Sequence, residues 1–126
     1  MRPKEKLESD QLVSIAEDIV SATLDELPDN IAAEVAQVSV FVEIEPDEDD
    51  RACGVGADWL GIFEGADHSH PDLPAPPRIR IWVRNLWTFA GGREAKFREE
   101  VRVTLLHEIG HYLGLDEAGV ARLGLE

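Results

Sequence analysis

His107-Glu108-Ile109-Gly110-His111 spells H-E-x-x-H inside a stretch whose apolar residues recur at helical spacing. Residues four apart on an α-helix lie about 40° apart around its axis. Both imidazoles therefore project from one face and can meet one ion. Glu108 is displaced to the side of that face, badly placed to be a third ligand on the same helix but well placed to touch a water on the ion. Zinc suits the arrangement, because it takes nitrogen and oxygen ligands in tetrahedral geometry and three protein ligands leave a fourth position for water. A water bound there has its pKa lowered to about 7. Glu108 would take its proton during attack on a carbonyl and hand it to the leaving amine, while the metal stabilises the developing oxyanion. The competing reading, two structural histidines and an exposed glutamate, requires two buried imidazoles to find hydrogen-bond partners on a face with little else polar.

The element that must carry these residues is a helix from about Arg93 to Leu113. Gly91-Gly92 breaks the chain before it, and Gly114 stops it as a left-handed residue. Val101, Leu105, Ile109 and Leu113 form an apolar stripe at steps of four, broadened by Leu106 and Tyr112, so the helix is expected to be mostly buried. A short last helix at about 117–123 is expected to close the domain.

The rest of the chain has to supply a sheet for that helix to pack on. Residues 10–27 carry Leu12, Ile15, Ala16, Ile19, Thr23 and Leu27 at helical spacing, with Ser9 or Asp10 to cap the start and Pro28 to stop the end. Residues 35–45 alternate: Val38, Val40, Val42 and Ile44 point one way, and Ser39, Phe41, Glu43 and Glu45 the other, as in a half-buried strand. Pro46-Asp47-Glu48-Asp49-Asp50 reads as a solvated acidic loop without EF-hand spacing. Trp59 to Phe63 reads as a short buried strand closed by Glu64-Gly65, and the prolines between Ala66 and Pro77 mark a loop. His68 and His70 lie in that loop and are expected to be exposed or peripheral. Residues 78–84 form a third strand, with Ile79, Ile81 and Val83 inward and Arg78, Arg80, Arg84 and Trp82 outward. The arginine row is expected to pair with acidic neighbours across the sheet, Glu43 and Glu45 being available. The pattern is an α+β layered domain: a small sheet of about three strands, a long N-terminal helix and a C-terminal helix carrying the site.

With 126 residues, 44% of them hydrophobic, the chain fits one domain with one ordinary core. No internal repeat or composition break marks a second domain. Cys53 is the single cysteine, so no intramolecular disulfide forms, which suits a reducing compartment. The polar N-terminus lacks the apolar run of a signal peptide, and no segment is long and apolar enough to span a bilayer. A cytoplasmic location without membrane association is expected. The formal net charge of −14 repels phosphate backbones and argues against nucleic-acid binding. It would tolerate cationic partners.

The segment from His107 to Glu117, H-E-I-G-H-Y-L-G-L-D-E, resembles the extended zincin motif H-E-x-x-H-x-x-G-x-x-(H/D). The wider chain is similar to the minimal zincins, small bacterial predicted zinc metallopeptidases. The likeness extends to Leu27-Pro28, the Leu60-to-Gly65 segment and the Ile79-to-Val83 strand. It implies a reduced zincin-like domain over residues 1–126 with a cleft between sheet and helix. It also implies His107 and His111 as zinc ligands and Glu108 as the catalytic acid/base. The position of a third ligand falls on Glu117, after a turn that Gly114 permits; Asp116, or water alone, remain the other candidates. The chain departs from larger relatives in two ways: its only methionine is Met1, so a methionine turn under the metal is missing, and Glu117 stands where they carry His or Asp. The expected activity is hydrolysis of a peptide or protein substrate by zinc-activated water. A zincin-like module that binds metal or a partner protein without turnover is the alternative, and the intact Glu108 distinguishes the two, since a pure binding scaffold has no need of it.

Overall fold

Seventeen residues of helix open the described chain, α1 (Ser9–Asp25). The computed structural model describes residues 7–65, 76–115 and 118–119. In order along the chain follow α2 (Asp29–Val35), β1 (Ser39–Glu43), α3 (Glu48–Ala52), β2 (Gly61–Glu64), β3 (Arg78–Trp82), α4 (Val83–Phe89) and α5 (Glu94–Leu113). The architecture is α+β, as the alternation and periodicity predict.

The sheet has three strands in the order β1-β3-β2. β1 runs parallel to β3, with Val40 opposite Ile79 and Val42 opposite Ile81. β2 runs antiparallel to β3, with Gly61 opposite Ile81 and Phe63 opposite Ile79. Among the described residues β2 is thus an edge strand. Successive side chains of β3 point to opposite faces. Ile79 and Ile81 are fully buried in a core shared with Leu12 and Ala16 of α1, Leu86 of α4, and Phe97, Val101 and Leu105 of α5. Each large apolar side chain among them contributes about 1.5–3 kcal/mol by leaving water.

The other face of β3 departs from the sequence expectation. Trp82 is fully buried and Arg80 is only 9% exposed, so neither is an outward residue. The Arg80 guanidinium gathers carboxylates from three elements. It donates to Glu43 (Nη2–Oε1, 2.8 Å), to both oxygens of Asp50 (2.8 and 2.7 Å) and, more weakly, to Glu64 (3.4 Å). Its Cζ lies 5.1 Å from the Trp82 ring centroid, and the Trp82 indole N–H donates to Glu43 at 3.2 Å. The expected pairing of arginines with acidic neighbours holds for Glu43, while Asp50 and Glu64 take the place given to Glu45. Hydrogen bonds from Arg80 hold the Asp50 carboxyl well below the usual carboxylate range, and Asp50 and Glu43 together raise Arg80 above its ordinary value.

Asp50 reaches Arg80 because residues 48–52 are helical, not the solvated loop the acidic run suggests. Asp47 caps this turn: its carboxylate accepts from the Asp50 N–H (2.8 Å), and Asp50 accepts from the Asp47 N–H (3.0 Å), a reciprocal capping box. The other differences are also of short elements. Residue 35 closes α2 instead of opening β1. The third strand ends at Trp82 and passes directly into α4, whose Val83, Leu86 and Trp87 are buried at i, i+3, i+4 spacing. α1 is capped by Glu8, in a capping box with Gln11, in place of Ser9 or Asp10. The closing helix expected at about 117–123 falls, except for residues 118 and 119, outside the described residues.

Candidate functional site

α5 begins at its N-cap Arg93 and ends at Gly114, where φ is +72°. The Leu115 N–H donates to the Gly110 carbonyl at 2.8 Å and the Gly114 N–H to the His111 carbonyl at 3.1 Å. This pair of bonds is a Schellman stop, which turns the chain back across the helix end. The stop and its left-handed glycine agree with the sequence expectation. The helix is buried on most of its circumference, with Phe97, Val101, Leu105, Leu106, Ile109 and Tyr112 all at most 3% exposed.

The side of α5 that lies beside β2 carries the site. At about 100° per residue, Thr104, His107, Glu108 and His111 fall on a strip within about 100° of arc. Two contacts fix β2 against this strip. Gly61 rests on Thr104 so closely that a Cβ at position 61 would lie 2.9 Å from the Thr104 methyl. Phe63 packs on Tyr112 with ring centroids 5.7 Å apart. The Tyr112 hydroxyl in turn donates to the Glu34 carbonyl at 3.4 Å, tying the end of α5 to α2. The edge strand therefore runs alongside the turn of helix that carries the H-E-x-x-H residues.

The three site side chains differ sharply in environment. His107 is half-buried. The His111 side chain is 65% exposed and that of Glu108 only 12%. Glu108 Oε1 lies 3.1 Å from His111 Nδ1, a contact that H-E-x-x-H spacing permits at i, i+3. In the tautomer whose Nδ1–H donates to this carboxylate, the lone pair sits on Nε2, the form in which an imidazole ligates a metal. Sequence reasoning places Glu108 beside a water and misses this bond to the ring; the i, i+3 spacing on a helix is the available signal. It also misses Thr104, 7% exposed, whose signal is its position one turn before His107.

The donor chemistry fits zinc: two imidazoles four apart, one with its ring contacted by a carboxylate at 3.1 Å, followed in sequence by Asp116 and Glu117. Among the described residues no group of three or more His, Cys, Asp or Glu side chains converges as a metal cluster. Asp116 and Glu117, the candidates for a third ligand, lie outside the described residues, as do His68 and His70. Also among the described residues, no helix is long and apolar enough to cross a membrane.

The sequence model of a family described as zincin-like metallopeptidase matches residues 35–125, from the end of α2 through the H-E-x-x-H helix. No curated protein matches the chain. Among solved structures the chain is similar to a conserved hypothetical protein from Thermo thermophilus, at 21% identity over 83% of this chain and 92% of that one, with a TM-score of 0.48.

Proposed function

The chain belongs to the zincin-like metallopeptidase family, and from that premise we propose that it is a zinc-dependent hydrolase that cleaves peptide bonds. The observation that carries the reading is the asymmetry of the site: an exposed His111 whose Nδ1 meets a nearly buried Glu108, four residues after a half-buried His107. His107 and His111 are the proposed ligands on the helix, and Glu117 is proposed as the third. Zinc held there supplies Lewis acidity and an acidified water.

The remaining work falls to the chain's own groups. Glu108 keeps the His111 ring turned so that Nε2 is free of its proton. The same carboxylate takes a proton from the attacking water and returns it to the leaving nitrogen. Its low exposure strengthens both interactions, since little bulk water competes for its oxygens. Among the described residues no strand pairs with the edge of β2 away from β3, and an extended peptide added there would lie along the strip carrying His107 and His111.

The test is metal content together with turnover. The purified chain should hold about one zinc, measured by mass spectrometry, and His107→Ala combined with His111→Ala should abolish it. A diverse fluorogenic peptide library should be cleaved, and the activity should vanish with a chelator and return with zinc. Zinc retained in full by the double variant would overturn the ligand assignment. Zinc bound without cleavage of any peptide would replace the hydrolase with a metal-binding module.

A further inference from the structure

A cleft of about 340 Å³ lies at the start of β2, lined by Ala57, Asp58, Leu60, Asn85, Thr88 and Phe89 and by no residue of the H-E-x-x-H motif. One wall is the loop leading into β2 and the other is α4. The walls are fastened to each other: the Asn85 side-chain amide donates to the Ala57 and Trp59 carbonyls, both at 2.8 Å. The cleft is thus held open by bonds that do not depend on a ligand.

Its chemistry is specific. Ala57, Leu60 and Phe89 give an apolar lining, and Phe89 keeps 60% of its surface exposed. Asp58 supplies the one charge, and its side chain makes no ion pair or hydrogen bond among the described residues. An apolar stem ending in a planar cation matches this lining: the stem lies on Leu60, the cation meets Asp58 and stacks on the Phe89 ring. A guanidinium does both better than an ammonium. The −14 net charge of the chain favours the approach of such a cation.

The cleft is also placed where a substrate would reach it. Leu60 lines it and is followed by Gly61, which rests on Thr104, one turn before His107. Three residues of strand, about 10 Å, separate Leu60 from Phe63 and its contact with Tyr112. We infer that this cleft is a specificity subsite for an arginine side chain of a peptide lying along β2. The inference rests on the hydrolase reading for its choice of a peptide ligand.

The test reads binding apart from cleavage. The probe is a blocked hexapeptide with one arginine among five alanines, compared with the same peptide carrying uncharged citrulline. It is titrated into zinc-loaded Glu108→Gln chain and followed by the backbone amide signals of Ala57, Leu60 and Thr88. The arginine peptide should bind about five- to tenfold more tightly than its citrulline counterpart. Asp58→Asn should erase that preference, Phe89→Ala should reduce it, and Glu99→Gln, at an exposed acid on α5, should leave it intact. Equal affinity for the two peptides, or a preference that survives Asp58→Asn, overturns the inference even if wild-type chain cleaves peptides. A preference erased by Asp58→Asn in a protein that cleaves nothing supports the cleft and removes the hydrolase.

Discussion

Asp50 and Glu108 are carboxylates with the same side-chain exposure, 12%, and each faces a nitrogen base. Asp50 meets Arg80 with both oxygens at 2.7–2.8 Å, inside a cluster where Glu43 and Glu64 engage the same guanidinium. Glu108 meets one ring nitrogen at 3.1 Å, on a histidine that is itself largely exposed. In the first cluster all three guanidinium nitrogens are engaged by carboxylates. In the second, the partner ring keeps a second nitrogen turned away from the carboxylate. Burial of a charge is therefore a poor guide to chemistry by itself; the number of valences left over is the better one. The Arg80 cluster holds β1, α3, β2 and β3 in register, and Glu108 engages its exposed partner through one ring nitrogen alone.

The comparison breaks most visibly at Glu108. Glu108→Gln should lower turnover by about 10⁴-fold, about 5 kcal/mol of transition-state stabilisation. Zinc content should persist and stability to urea should change by less than about 1 kcal/mol. Near-normal turnover in this variant would give Glu108 a purely orienting role.

Arg80→Met should do the reverse. It strands three carboxylates around an apolar side chain and should cost about 3 kcal/mol of folding stability, measured by urea unfolding. Zinc content in the folded fraction should stay near one per chain. A loss of metal as large as the loss of stability would mean that the two clusters are not separable.

Acid should sharpen the contrast further. The Arg80 hydrogen bonds depress the folded-state pKa of Asp50. Its stabilising effect is therefore complete above the unfolded value of about 3.9 and is lost as pH falls below that toward the folded value. Asp50→Asn should flatten the acid limb of a stability–pH curve below about pH 4, with little change in its slope near neutral pH. An unchanged acid limb would place the sensitivity in other carboxylates.

The smallest effect is expected at the helix stop. Gly114→Ala forces a Cβ into a left-handed conformation, a strain of about 1 kcal/mol. Thermal unfolding should register it as a lower Tm. Zinc affinity should fall as well if Glu117, three residues beyond Gly114 in sequence, is the third ligand. Unchanged affinity would favour a shell completed without the segment past residue 114.

Much of this was legible in the residues. The H-E-x-x-H spacing and the Gly114 stop belong to a 20-residue helix, long enough for periodicity to speak. The alternation in β1 and β3 identified which side chains share a face. What escaped were elements of five to seven residues, α2, α3 and α4, which are too short to show a helical period. The Asp47/Asp50 capping box was written in the sequence as two acids three apart, but an acidic run reads first as solvated. Trp82 departs from the alternation pattern for a different reason. Alternation assigns a face and does not say whether that face is covered; here Trp82 meets Glu43 and Arg80, and Arg80 meets Asp50 of α3, the two acids contributed from far along the chain.

That distance has a kinetic meaning. Arg80 is 37 residues from Glu43, 30 from Asp50 and 16 from Glu64. Each bridge closes a long loop whose entropy must be surrendered before the bond gives anything back. α5, by contrast, can form its turns from neighbours alone. Helix is then expected to precede sheet as the chain folds, with the guanidinium clasped after the strands have met. A clasp fastened that late acts mainly on the way out: it slows unfolding far more than it speeds folding, and so governs how long the chain survives a protease.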